Sequence, residues 1–176
     1  ERTTPLNSKL PYAIVKTIGE AFLRSYHREY GLDYTIFRFF NTYGPHQSPD
    51  FVVAKFLRAA KAGEDITIYG EGDQTRTFCF IDDNTEACLN AYRNKEVMND
   101  VINIGSDKEF TIKALAELVI DVTGSSSRIV HLPALEEGDM TRRMPDNTRM
   151  RALLGHDLLP LRQGLEKILK SMPVKA

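Results

Sequence analysis

The strongest constraint on the fold is the alternation of helical and strand-like segments along the whole chain. Helices and strands that take turns in this way pack as an α/β architecture with at least some parallel strands. Residues Pro11 to Tyr30 read as a helix, with Gly31 placed to stop it. The run YTIFRFF, from Tyr34 to Phe40, is β-branched and aromatic and reads as a buried strand. After the turn-rich NTYGPHQSPD, Phe51 to Ala62 form a second helical stretch ended by Gly63. ITIYG and RTFCFI read as strands separated by a GEGDQ turn, and Asp82 or Asp83 is a natural N-cap for a helix through Tyr92. VINIG is a strand, and Thr111 caps a helix from Ile112 to Val122 that Gly124 closes. RIVHL is a further strand. A loop, EEGDMTRRMPD, leads to helical stretches near Thr148 to Leu154 and Leu161 to Met172. The pattern lacks the opening strand, glycine loop and helix of a dinucleotide fold.

Bulk properties narrow the function classes. The length of 176 residues suits one α/β unit with a core of its own. Lys and Arg number 23 against 24 Asp and Glu, so no global charge draws the chain to nucleic acid or to an anionic membrane. The apolar runs are too short to span a bilayer and no signal peptide precedes them, which predicts a cytoplasmic protein. Cys79 and Cys88 have neither metal-ligand spacing nor a small secreted scaffold and are expected as reduced thiols. The four histidines are scattered without an HExxH-type pairing, so no metal site is expected.

The chemistry-bearing residues sit in three places. Tyr12 and Lys16, in PYAIVKTIGEAF, fall one turn apart on one helical face. An ammonium near a phenol favours the phenolate, and such a tyrosine can take or return a hydroxyl proton while hydride leaves the same carbon. A surface helix can carry that spacing by chance. The strand ending in RFFNTYGP places Arg38, Phe39, Phe40 and Asn41 at its carboxyl end, where open α/β sheets bind ligands. An aromatic pair there is also what a packed core presents, but the Asn41 amide demands a polar partner. Arg76 follows the Gly70–Gly72 turn, and Arg142 and Arg143 precede Met144-Pro145-Asp146. Two such guanidiniums converging on one site would suit a diphosphate.

The ordered set PYAIVK, RFFNTYGP, VVAKFLRAAKAGEDITIYGEGDQTRTFCFIDD, VINIGS, RRMPD and LRQGLEKIL resembles the extended short-chain dehydrogenase/reductase family. More narrowly, it is similar to the NAD-dependent nucleotide-sugar epimerases and dehydratases, and among them to UDP-glucuronate decarboxylases and dTDP-glucose dehydratases. The resemblance covers nearly the whole chain. It implies a Rossmann-type fold seen from its C-terminal part, without the N-terminal dinucleotide-binding half and with the small substrate-binding domain. Residues 1–45 would then hold the catalytic helix and the last Rossmann-type strand region, and 46–176 mainly the substrate-binding portion, with elements returning to the sheet.

By the same resemblance Tyr12 is the acid/base at the sugar 4-hydroxyl, and Lys16 binds the nicotinamide ribose and tunes Tyr12. Phe39 and Phe40 border the nicotinamide and the sugar. Asn41 bonds the diphosphate region, which Arg76 and Arg143 grip. The implied cofactor is NAD and the implied substrate a UDP- or dTDP-sugar processed through a transient 4-keto intermediate. The family commonly dimerises through the helix bearing the Tyr-x-x-x-Lys pair, where Phe22, Leu23 and Tyr26 are available. Two departures stand out: the glycine-rich cofactor loop and the upstream serine or threonine are missing, and HQSPDFVV is a short connection for a decarboxylase. Without a dinucleotide site the chain alone is expected to turn over little or nothing, with a homodimer or a separate N-terminal half as partner. The alternative is a non-catalytic module that binds sugar nucleotides or serves assembly.

Overall fold

A computed structural model describes residues 11–134 and 142–172. Helix α1 spans Pro11–Tyr30 and stops where Gly31 takes φ 67° and donates its N–H to the His27 carbonyl at 2.9 Å. Strand β1 (Thr35–Phe39) and the short β2 (Thr42–Tyr43) follow, then α2 (Val52–Ala62), closed by Gly63 in the left-handed region, and β3 (Ile66–Tyr69). The expected RTFCFI strand divides into β4 (Thr75–Thr77) and β5 (Cys79–Phe80). Its halves serve different sheets: β5 pairs in parallel with β2, Thr42 opposite Cys79, whereas β4 joins a separate three-stranded sheet.

Helix α3 (Ile81–Asn94) begins directly after β5, so Phe80 occupies the N-cap position and the expected aspartate cap does not form. Asp82 and Asp83 lie instead in the first turn, where carboxylates favour the helix dipole. Asp83 is buried and accepts the Leu159 N–H at 2.9 Å, fastening the start of α3 to a distant loop. Next come β6 (Asp100–Ile104), β7 (Glu109–Thr111) and α4 (Ile112–Thr123). The Thr111 hydroxyl accepts the Ala114 N–H at 3.0 Å, which is the cap that its position predicts. The chain continues through β8 (Ile129–Leu132), β9 (Arg142–Arg143), α5 (Thr148–Leu154) and α6 (Leu161–Ser171). β9 forms inside a segment expected as loop, because it finds an edge: Arg142 pairs with Thr75 and Arg143 with Arg76, parallel to β4, while β7 pairs antiparallel on the other side.

The pairings β1–β6 and β3–β8 are parallel, as the alternation requires. Two apolar clusters hold the elements. One joins α2, α4 and α6 over β3 through Phe56, Leu57, Ile66, Leu115 and Leu165, with Tyr43 and Phe80 between. The other sets Ala87, Ala91, Met150 and Leu153 against Ile102 and Ile104 of β6. Among the described residues, neither cluster includes one from α1. No described helix is long and apolar enough to cross a membrane.

Gly164 shows how tightly α6 is seated. The buried Tyr43 phenol donates to the Leu161 carbonyl at 3.4 Å, and a Cβ on Gly164 would meet its Oη at 2.0 Å and the Phe80 Cδ2 at 3.0 Å. Gly164→Ala is therefore expected to destabilise the fold by about 1–3 kcal/mol, since the aromatic pair has no room to retreat. A denaturant midpoint that does not move would show that α6 can slide outward at no cost.

Candidate functional site

The placement of α1 along β1 follows from two contacts. Near the end of α1, the His27 ring lies 5.7 Å from Tyr34 and its Nδ1 lies 3.0 Å from the Leu32 carbonyl. Further back, Glu20 forms a two-pronged ion pair with Arg38, Nε to Oε1 at 2.7 Å and Nη2 to Oε2 at 2.8 Å. Lower numbers on the helix thus meet higher numbers on the strand. The helix runs antiparallel to β1, and its first two turns, with Lys16 and Tyr12, project beyond the carboxyl end of the strand.

Tyr12 is 73% exposed, and the Lys16 ammonium sits 5.3 Å from the centre of its ring. At that end of β1, Phe39 is 56% exposed, and its ring lies tilted against that of Phe37 at 6.3 Å between centroids. Phe40 is half-buried and lies against Gly105, where a Cβ would come within 2.7 Å of the Phe40 Cβ. Asn41 departs from the strand with φ 43°, a left-handed conformation that asparagine tolerates better than most residues. Its carbonyl accepts the Cys79 N–H at 3.3 Å. Its side-chain Nδ2 is buried with no hydrogen-bond partner. A buried amide donor left unpaired costs about 1–3 kcal/mol unless something accepts from it, so this group is suited to a ligand oxygen.

Arg76 is half-buried on β4, with Nη1 donating to the Thr75 carbonyl at 2.7 Å. Backbone pairing sets Arg143 directly opposite it; the Arg143 side chain lies outside the described part of the structure. The strand register thus brings the two arginine positions together from 67 residues apart, as β4 and β9 neighbours.

Sequence reading missed the polar residues behind this end of the sheet. Asn84 donates to the Thr42 hydroxyl at 2.6 Å, and Gln47 to the Thr42 carbonyl at 2.7 Å. Thr77 is fully buried with its hydroxyl unpartnered. It also missed Glu20, although Tyr12, Lys16 and Glu20 recur every four residues and so form one stripe. Away from these residues, a cavity of 450 Å³ opens between α2 and α6, lined by Pro45, His46, Val53, Leu57, Arg58 and Met172. None of the candidate residues lines it. Among the described residues no cluster of His, Cys, Asp and Glu could hold a metal ion, and Cys79 and Cys88 are free thiols.

Residues 1–105 match the family described as NAD dependent epimerase/dehydratase. The chain is 37% identical over 170 residues to a UDP-N-acetyl-alpha-D-glucosaminuronate decarboxylase of Bacillus cytotoxicus, covering 90% of this chain and 52% of that protein. It is 33% identical to UDP-glucuronic acid decarboxylase 1 of Xenopus tropicalis, over 93% of this chain and 39% of the relative. Among solved structures, a UDP-glucose 4-epimerase of Thermotoga maritima with UDP-glucose superposes with a TM-score of 0.84 at 34% identity, over 91% of this chain and 52% of that one. A UDP-glucuronic acid 4-epimerase of Bacillus cereus in complex with UDP-glucuronic acid and NAD superposes at 0.81 with 27% identity, over 98% of this chain and 58% of that one. The chain therefore spans about half the length of the relatives it matches.

Proposed function

Because the chain belongs to the NAD-dependent epimerase/dehydratase family, we propose that it supplies the acid/base pair and the substrate grip of an enzyme acting on a UDP- or dTDP-sugar through a transient 4-keto intermediate. On its own it is proposed to turn over little or nothing, since the relatives are about twice its length. In this reading residues 1–45 carry the catalytic helix and strand, and 46–176 mainly the substrate portion. The observation that carries it is the exposed Tyr12 phenol beside the Lys16 ammonium, on a helix end that projects past the carboxyl end of a parallel strand.

The residues present fit the nicotinamide end of a dinucleotide and a diphosphate. The Tyr12 oxygen takes the proton of the sugar 4-hydroxyl and later returns it, with the Lys16 ammonium 5.3 Å from the ring centre. Lys16 would also reach the nicotinamide ribose, and the exposed ring of Phe39 would border the nicotinamide, with Phe40 next to the sugar. NAD, when bound, supplies the hydride acceptor for C4. Asn41 Nδ2 donates to a diphosphate oxygen, which satisfies its unpartnered amide. Arg76 and Arg143 add charge from β4 and β9, and two guanidiniums hold a diphosphate more firmly than either alone. We place the protein in the cytoplasm. We further read the apolar residues exposed on α1 as the surface that a second copy, or an NAD-binding half, covers: Val15, Phe22 and Tyr26 are 64%, 58% and 52% exposed.

A second reading is a sugar-nucleotide-binding module without turnover. It is favoured by the contrast between Asn41 and Arg76, set in the packed part of the fold, and α1, none of whose described side chains is buried. Calorimetric titration of this polypeptide with NAD and then with UDP- and dTDP-sugars tests both readings. Sugar-nucleotide binding is expected, and Arg76→Ala is expected to weaken it by about 10–100-fold, the worth of a charge-assisted hydrogen bond. Equal affinity in wild type and Arg76→Ala would remove Arg76 from the site. Binding of sugar nucleotides with no turnover even beside an NAD-binding half would favour the module.

A further inference from the structure

Asn41 is the residue at which the chain leaves one sheet and enters another. On one side the Phe40 N–H donates to the Ile104 carbonyl at 2.9 Å, continuing the pairing of β1 with β6. On the other side Thr42 opens β2 and stands opposite Cys79 of β5. Between these two anchors Asn41 takes φ 43°, a conformation that side chains resist and that the surroundings must impose. Its Nδ2 is buried and has no hydrogen-bond partner. Two other amides grip the next residue. Asn84, 1% exposed in the first turn of α3, donates Nδ2 to the Thr42 hydroxyl at 2.6 Å. Gln47 reaches back from the following loop and donates Nε2 to the Thr42 carbonyl at 2.7 Å. Thr42 is thus held by its side chain from one element and by its backbone from another. Each amide uses its nitrogen on Thr42 and leaves its oxygen, Asn84 Oδ1 or Gln47 Oε1, buried without a partner. A bare buried acceptor costs stability, so packing alone would favour leucine or methionine at these positions. What the amides add is the grip.

We propose that Asn84 and Gln47 are positioning residues that set the left-handed turn at Asn41 and so aim its unpartnered amide at a diphosphate oxygen. The inference rests on the reading of Asn41 as a diphosphate ligand. Neither residue touches the substrate; both act through Thr42. With Phe40 fixed to β6, the direction the chain takes at Thr42 decides the backbone conformation of Asn41. Loosening Thr42 lets Asn41 relax toward extended backbone. An extended residue 41 would continue the alternation of β1 and carry the amide away from its present direction. All the groups concerned belong to β1, β2, β5, β6, α3 and the loop after β2. Helix α1 takes no part, so the arrangement does not depend on what covers that helix.

Two measurements test this. Calorimetric titration with a UDP- or dTDP-sugar is expected to show affinity lowered by about 5–10-fold in Asn84→Leu and in Gln47→Met, the worth of one hydrogen bond. In an Asn41→Ala background the same substitutions are expected to cost less than about twofold, since the amide they aim is gone. In an Arg76→Ala background the full loss should remain. A loss of equal size in both backgrounds is what general support of the fold would give, and it overturns the proposal. So does wild-type affinity in both single variants. Should one variant not fold, the other carries the cycle, because the two amides sit on different elements. The second measurement needs no ligand. The three-bond coupling between the amide and α protons of Asn41 reads its φ, and it is expected to move toward the extended-strand value in both variants. A coupling that stays put in both overturns the proposal. If the unaltered chain binds neither sugar nucleotide, the diphosphate reading fails for this chain, and the coupling still decides whether the two amides set Asn41.

Discussion

Tyr12→Phe is expected to lower turnover of the catalytically complete protein by about 10²–10⁴-fold, the usual worth of a positioned acid/base group. The substitution removes one oxygen and leaves the ring, its exposure and its place beside Lys16 in α1. Sugar-nucleotide affinity should therefore hold within about twofold, because an interaction made mainly in the transition state shows in kcat rather than in ground-state binding. Lys16→Met should follow Tyr12→Phe in direction and additionally weaken NAD if, as proposed, the ammonium serves both the tyrosine and the nicotinamide ribose. Steady-state kinetics with calorimetry on the same samples separates the two. A Tyr12→Phe variant that keeps more than a tenth of the parent kcat would take the proton-transfer role away from this residue.

How much of this was legible in the sequence depends on the range of the interactions. Helix ends were legible because glycine acts locally: Gly31, Gly63 and Gly124 stop α1, α2 and α4 in the left-handed conformation that side chains resist. The Thr111 cap was legible for the same reason. The division of RTFCFI into β4 and β5 was not. It is decided by partners at Thr42, Thr111 and Arg142, and no local pattern encodes which edge a strand will find. β9 was invisible on the same ground: two arginines followed by Met144 and Pro145 have no strand propensity, and only the β4 edge makes them one. The aspartate cap failed because β5 runs into α3 with no residue between.

At the candidate site, the carboxyl end of β1 could be read from the strand pattern. The unpaired amide of Asn41 and the Glu20–Arg38 fork could not, since each needs three-dimensional neighbours to be seen. The meeting of the Arg76 and Arg143 positions is likewise a consequence of register, not of spacing.

Phe56→Ala is expected to cost about 3–5 kcal/mol, whereas Phe22→Ala should fall within about 0.5 kcal/mol in this chain, although both remove the same phenyl ring from a helix. Phe56 is 2% exposed among Leu57, Leu115 and Leu165, so truncation leaves a cavity that three packed helices cannot close. Phe22 is 58% exposed on α1 and has almost nothing to lose. For a domain of this size the Phe56 loss corresponds to a melting temperature lower by about 6–20 °C. The comparison also bears on function. If the face of α1 is covered in the working enzyme, by a second copy or by an NAD-binding half, the cost of Phe22→Ala should rise to about 1–3 kcal/mol once that partner is present, while the cost of Phe56→Ala stays as it was. Thermal melts of both variants, with and without the partner, measure this directly. A Phe22 penalty that never grows would place the partner elsewhere, and leave the apolar face of α1 as bare surface.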